Sequence, residues 1–249
     1  MRSVALFAVI LSIALCVSAF SAIRAEAAEG TDAPYTRATR IDDVASAPVF
    51  GSYGRLIFPV DRGYMSGETL GTLRLTWYSC IDPDKTVEIA NYLKSRAAAG
   101  DTVFIDIYTE AEKRADPRKR DTGLFFFRGR RGAPFAVCCA GGGFAYVGAM
   151  HDSFPHALEL SKMGYNAFAI IYRPGAQAAC EDLARAISVI FANAEKLGVS
   201  TEGYSLWGGS AGARMAAWLG SHGPAAFGGA HLPRPAAVVM QYTGYSGYN

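Results

Sequence analysis

The chain has 249 residues, 51% of them apolar, and a formal net charge of +2. That length and apolar content suit one globular domain with a sizeable core and exclude a chain that stays unfolded. With 24 lysines and arginines against 22 aspartates and glutamates, no overall field would recruit nucleic acid or an anionic membrane. A small molecule is the expected partner.

Arg2, an uncharged stretch over residues 4–23 and the small-x-small run Ala25-Glu26-Ala27 read as a signal peptide of residues 1–27. The rival is a retained anchor, since about 20 apolar residues span a bilayer. Export would make the protein secreted or periplasmic, and free of the membrane once cleaved. Lipid attachment at Cys16 is disfavoured by the bulky Leu15 before it. Cleavage would leave Cys80, Cys138, Cys139 and Cys180 in a compartment that permits one disulfide. Cys138 and Cys139 are neighbours in an apparent strand and so face opposite sides, which suits small buried hydrophobes better than a metal clip.

Residues 28–53 show no period and read as an exposed leader with no assigned structure. Asp82-Pro83-Asp84 then introduces residues 87–98, where Val87, Ile89, Ala90 and Leu93 recur at helical spacing and predict a helix covering one face of a sheet. Residues 28–100 are thus a leader with a covering helix, and 101–249 the main domain. Residues 103–108 and 123–128 read as two strands joined by a solvated loop at 110–121. The basic run at 114–120 has acids interleaved, which favours a solvated connection over a nucleic-acid patch.

After Pro134, short and almost wholly apolar runs alternate with helical stretches: 135–140, 154–163, 167–172, 180–197, 204–207, 211–219 and 236–242. Strands buried on both faces have this pattern. The predicted fold class is α/β, a doubly wound and mainly parallel sheet with helices on both faces and an antiparallel start near 103–128.

The sharpest chemical signal is Gly208-Gly209-Ser210-Ala211-Gly212, placed between a predicted strand and a predicted helix. Glycines two residues either side of a serine permit a strained turn that lifts the hydroxyl clear of the sheet, as in a nucleophile elbow. The bland reading is a tight connection with Ser210 capping the helix. A second feature lies upstream, Ala140-Gly141-Gly142-Gly143-Phe144, directly after a buried strand. Consecutive glycines there expose backbone N–H groups, and the Gly142, Gly143 and Ala211 amides are the candidate donors to an oxyanion. A phosphate loop is the other reading of such a run, but no Lys-Ser/Thr pair follows it.

With these motifs, residues from about 103 to 242 resemble the α/β-hydrolase superfamily. The likeness is to its esterase and lipase branch with a His-Gly-Gly-Gly motif, related to hormone-sensitive lipase and bacterial acetyl esterases. Ile171-Tyr172-Arg173-Pro174 is similar to the Asp-Tyr-Arg-Leu segment of those esterases, and Arg173 with Asp182 is expected to form a structural ion pair. The resemblance implies cleavage of carboxylic esters through an acyl-serine on Ser210, with Gly142, Gly143 and Ala211 as the oxyanion hole. It implies no metal or organic cofactor. The expected substrate is a small-molecule ester, with acylated carbohydrates suggested by export.

Two departures stand out. Ala140 occupies the place of the motif histidine, although the donors are backbone groups. In the superfamily, an acid and a histidine follow the serine in that order, and only residues 211–249 follow it here. The expectation is an incomplete α/β-hydrolase domain with its last strands missing and no position for the acid and base. His222 lies roughly 18 Å along the elbow helix, His231 precedes a parallel strand at the opposite sheet edge, and His156 sits on a covering helix. His151, just past the glycine run, is the one histidine expected on the active face. The alternatives are a non-catalytic binding module, in which Tyr242, Tyr245 and Tyr248 stack on sugars, and a peptidase on the same fold.

Overall fold

The computed structural model describes residues 33–243, and the chain from Thr36 onward forms one compact unit. The predicted signal peptide, Cys16, Tyr245 and Tyr248 lie outside the described residues.

The described part of the predicted leader has structure, which corrects that expectation. Helix α1 (Ile41–Ala45) leads into a kinked 3-10 stretch, Pro48–Ile57, which buries Phe50, Leu56 and Ile57. Tyr53 stacks on Phe104 at 4.9 Å. These apolar residues are too unevenly spaced to show a period, and tertiary burial holds such short helices together. A small antiparallel ribbon follows, β1 (Met65–Ser66) with β2 (Arg74–Leu75).

Helix α2 (Pro83–Ala98) begins where Asp82 accepts the Asp84 and Lys85 N–H groups and proline occupies the first turn, satisfying amides that have no partner inside the helix. It buries the predicted Ile89, Ala90 and Leu93. Strand β3 is only Phe104–Ile105 and β4 is Gly123–Phe127. Between them the predicted loop is instead α3 (Glu110–Ala115) and a 3-10 turn, Pro117–Asp121. A capping box between Thr109 and Glu112 starts α3.

The remaining elements are β5 (Pro134–Cys139), α4 (Ala149–Asp152), α5 (Phe154–Lys162), β6 (Asn166–Ile171), α6 (Ala176–Ala192), α7 (Ala194–Leu197), β7 (Ser200–Gly209), α8 (Ala211–His222) and β8 (Ala237–Gln241). Among the described residues the main sheet runs β3–β4–β6–β5–β7–β8. The β3/β4 and β4/β6 pairs are antiparallel and the rest parallel, which is the predicted α/β architecture with its antiparallel start. Steps from β5 to β6 and from β6 to β7 run in opposite directions across the sheet. Right-handed crossovers therefore place α5 on one face and α6 with α8 on the other. Accordingly α6 and α8 pack on each other, while α5 packs on β5 and β6 with α2 beside it.

Every residue of β4 and β6 is buried, and Phe126 stacks on Phe168 across them at 4.4 Å. Cys138, Cys139 and Cys180 are buried free thiols and Cys80 is an exposed one, so the disulfide that the sequence permitted is not formed among them. Arg173 and Asp182 do pair: the guanidinium donates to Asp182 Oδ1 at 2.8 and 3.0 Å, with both residues buried.

Candidate active site

Parallel pairing of β5 with β7 sets Cys139 opposite Gly208, so the glycine loop and Ser210 emerge together at the C-terminal ends of the strands, where open α/β sheets place their crevices. Ser210 joins β7 to α8 with φ 51° and ψ −117°. That conformation costs a non-glycine residue roughly 1–3 kcal/mol. It is held by the Ser210 N–H donating to the Gln241 carbonyl on β8 at 3.1 Å and by its own carbonyl accepting the Arg214 N–H at 3.3 Å. The side chain makes no capping bond to α8, so helix capping does not account for this serine.

The flanking glycines are required by close approach. A Cβ on Gly208 would fall on the Gly212 carbonyl, and one on Gly212 would fall on the Cys139 carbonyl oxygen, 2.7 Å from that of Ala140. Strand β7, helix α8 and the start of the glycine loop thus touch backbone to backbone. Beyond it, Gly142 and Gly143 take φ 132° and 62°, where side chains are strained. Among the described residues the Gly142, Gly143 and Ala211 N–H groups donate to no protein acceptor. They differ in this from Gly148, whose N–H goes to the Gly141 carbonyl at 2.9 Å.

Asp152 is a site residue that sequence reasoning missed. Its carboxylate is 3% exposed, accepts the Gly141 N–H at 2.5 Å, and would lie 2.6 Å from a Cβ on Gly209. In the sequence, Asp152-Ser153 ahead of Phe154-Pro155 has the look of a helix cap, yet Ser153 makes no side-chain cap to α5 and Asp152 turns to the glycine loop. Ala140, in the place of the motif histidine, offers its carbonyl to the buried Tyr172 hydroxyl at 2.6 Å.

Aromatic residues from the N-terminal segment cover this corner. Trp77, at φ 69° and 68% exposed, lies against Gly143. Tyr78 packs on His151 with ring centroids 4.4 Å apart, and its hydroxyl lies 3.3 Å from that of Tyr242. Burial raises the Tyr78 phenol above its ordinary value and lowers the His151 imidazole below its own, outweighing the Asp152 charge.

His151 reaches the edge of the site through Tyr78. His156 faces Asp152 C=O with Nδ1 and the Gln241 amide with Nε2, the latter at 3.1 Å. His222 ends α8 and His231 precedes β8. Among the described residues, none of the four forms a hydrogen bond with Ser210. A mainly apolar cavity of about 310 Å³ lies against Ala145, Tyr146 and Val147, just past the glycine loop; Leu56, Phe58 and Tyr172 also line it, Asp61, Arg118 and Asp121 stand in its wall, and Ser210 does not line it.

Residues 128–230 match the BD-FAE family, in agreement with the α/β-hydrolase resemblance carried by Gly208–Gly212 and the glycine loop. No curated protein matches the chain. Solved structures that it resembles include MGS-M1, an α/β hydrolase from a Medee basin deep-sea metagenome library (22% identity, 56% of this chain, 55% of that chain, TM-score 0.43). Another is an acetyl ester-xyloside bifunctional hydrolase from Caldicellulosiruptor lactoaceticus (23%, 48% of this chain, 46% of that chain, 0.43). A third is a bacterial heroin esterase (23%, 48% of this chain, 38% of that chain, 0.42). The match spans about half or less of each of these structures.

Proposed function

We propose, from the premise of an α/β-hydrolase domain whose residues 128–230 match the BD-FAE family, that this protein is a serine hydrolase of small carboxylic esters. The observation that carries this reading is Ser210 in a left-handed conformation, uncapped, at a strand-to-helix turn that touches the glycine loop. Ser210 Oγ attacks the ester carbonyl, and the Gly142, Gly143 and Ala211 N–H groups bind the oxygen as it becomes negative. The serine proton passes to the departing alkoxide, which leaves as the alcohol; water then adds its hydroxyl to the acyl carbon and returns a proton to Ser210 Oγ, releasing the acid and the free serine. Preorganised donors of this kind are worth several kcal/mol of barrier each, because they need no reorientation when charge develops. The mainly apolar cavity just past the loop takes one side of the ester. With residues 1–27 acting as an export signal, the substrate is met outside the cytoplasm, where acylated carbohydrates and small acyl esters occur.

A serine with no engaged base is a slow nucleophile, so stoichiometric labelling is a better first readout than turnover. The purified chain treated with a fluorophosphonate is expected to take up one label, mapped by mass spectrometry to Ser210. Ser210→Ala is expected to take up none and to lose hydrolysis of p-nitrophenyl acetate. Label on another residue, or hydrolysis undiminished in Ser210→Ala, defeats the assignment. Absence of label from the folded parent chain favours a non-catalytic binding module instead.

A further inference from the structure

We propose that the Tyr78 hydroxyl is an additional oxyanion donor, supplied to the Ser210 site by a side chain that lies outside the 128–230 match. This rests on the serine-hydrolase reading above.

The Tyr78 hydroxyl stands beside the nucleophile. A Cβ built on Gly141 would fall on the Tyr78 hydroxyl and lie 2.9 Å from Ser210 Cβ, so the phenol and the nucleophile flank the same point at the head of the glycine loop. The absence of a side chain at residue 141 is what allows the hydroxyl to stand there.

Tyr78 is also held in place. Its N–H donates to the Leu75 carbonyl at 3.0 Å across a tight turn in which Trp77 takes its left-handed conformation. The Tyr146 hydroxyl donates to the Thr76 carbonyl and ties this turn to the far side of the glycine loop. The ring is wedged against Gly148, where a Cβ would approach it to 3.1 Å, and against His151. Donors fixed in this way act on a transition state with little entropy left to lose.

The hydroxyl also has a proton to give. The Tyr78 and Tyr242 hydroxyls lie 3.3 Å apart, and Tyr242 is also bonded to the Asp152 carboxylate, the stronger acceptor for its one proton, so the Tyr78 proton has at most the neutral Tyr242 oxygen to meet. A phenol carries one donor hydrogen, and one held no more strongly than by a neutral hydroxyl 3.3 Å away is free to turn to an oxygen that becomes negative beside the nucleophilic serine. Burial keeps the phenol protonated, as a donor must be. It donates a hydrogen bond and transfers no proton.

Tyr78→Phe tests this, because it removes the hydroxyl and keeps the ring that packs on Gly148 and His151. Expected are a fall of about 10- to 100-fold in kcat and a similar fall in the rate constant for fluorophosphonate inactivation, in which the phosphoryl oxygen takes the oxyanion position. KM is expected to stay within about twofold and the unfolding midpoint to be unchanged, as for a donor used only in the transition state. Unchanged kcat and inactivation rate in Tyr78→Phe, with a reactive parent, would overturn the role of Tyr78 and leave the serine-hydrolase reading standing. A loss of activity matched by a lowered unfolding midpoint would make Tyr78 a packing residue and overturn the proposal. A parent chain that neither labels at Ser210 nor hydrolyses ester would overturn both.

Discussion

Replacing Asp182 by alanine is expected to destabilise the fold by about 3–5 kcal/mol, the range for removing one partner of a buried ion pair. Asp182 is fully buried and Arg173 is 5% exposed. The carboxylate takes the Arg173 guanidinium, the Arg173 N–H at 2.7 Å and the Tyr108 hydroxyl at 2.6 Å. Alanine strands all three, and Asp116, at 3.0 Å from the other guanidinium nitrogen, compensates only in part. Since domains of this kind have a net stability of about 5–15 kcal/mol, the loss is large enough to read from urea unfolding curves. Asp182→Asn keeps the shape and one acceptor and is expected to lose less. The effect should also reach the candidate site, because Tyr172, next to Arg173, donates to the Ala140 carbonyl at the head of the glycine loop. A loss under about 1 kcal/mol would mean that the pair is better solvated than its burial implies.

What was legible in the sequence follows from how far apart the cooperating residues are. Strands β4, β5 and β6 announce themselves because each is a short apolar run buried on both faces, and α2 because its apolar positions recur at helical spacing behind a capping aspartate. Ser210 and the glycine loop were legible for a related reason: each is a local requirement for backbone without side chains. The segment at 110–121 reads as a loop because its charge outweighs its pattern, although Thr109-x-x-Glu112 is a capping-box signature in the sequence itself. Helix α1 and the 3-10 stretch after it carry no such signature, and burial alone shapes them. Asp152, Trp77 and Tyr78 were out of reach for a different reason. Their roles depend on contacts with Gly141, Gly143 and Gly209, which are up to 66 positions away in the chain and meet them only once the sheet is assembled.

Gly212→Ala is expected to be the most damaging single methyl that can be added to the candidate site. The new Cβ would fall on the Cys139 carbonyl oxygen, 2.6 Å from the carbonyl carbon and 2.7 Å from the Ala140 oxygen, all of them backbone and none able to rotate away. Relief requires α8 to move off β5, and overpacking of this kind costs typically 1–3 kcal/mol. Activity should suffer more than stability. The displacement separates the Ala211 N–H, in the first turn of α8, from the Gly142 and Gly143 N–H groups that follow β5, and donors pulled apart no longer converge on one oxygen. Loss of one such donor costs about 100- to 1,000-fold in rate. The measurement is a paired one, unfolding free energy and fluorophosphonate inactivation rate on the same preparation. Gly63→Ala serves as the comparison, since its Cβ would meet only the Asp61 side chain, at 3.1 Å, and is expected to change stability by no more than about 0.5 kcal/mol. If Gly212→Ala labels at the parental rate while destabilised, α8 can shift without disturbing the donors, and the Ala211 N–H does not belong to the oxyanion site. If both quantities fall, with the rate falling further than the lost stability explains, the glycine is there to bring two backbone segments onto one charge.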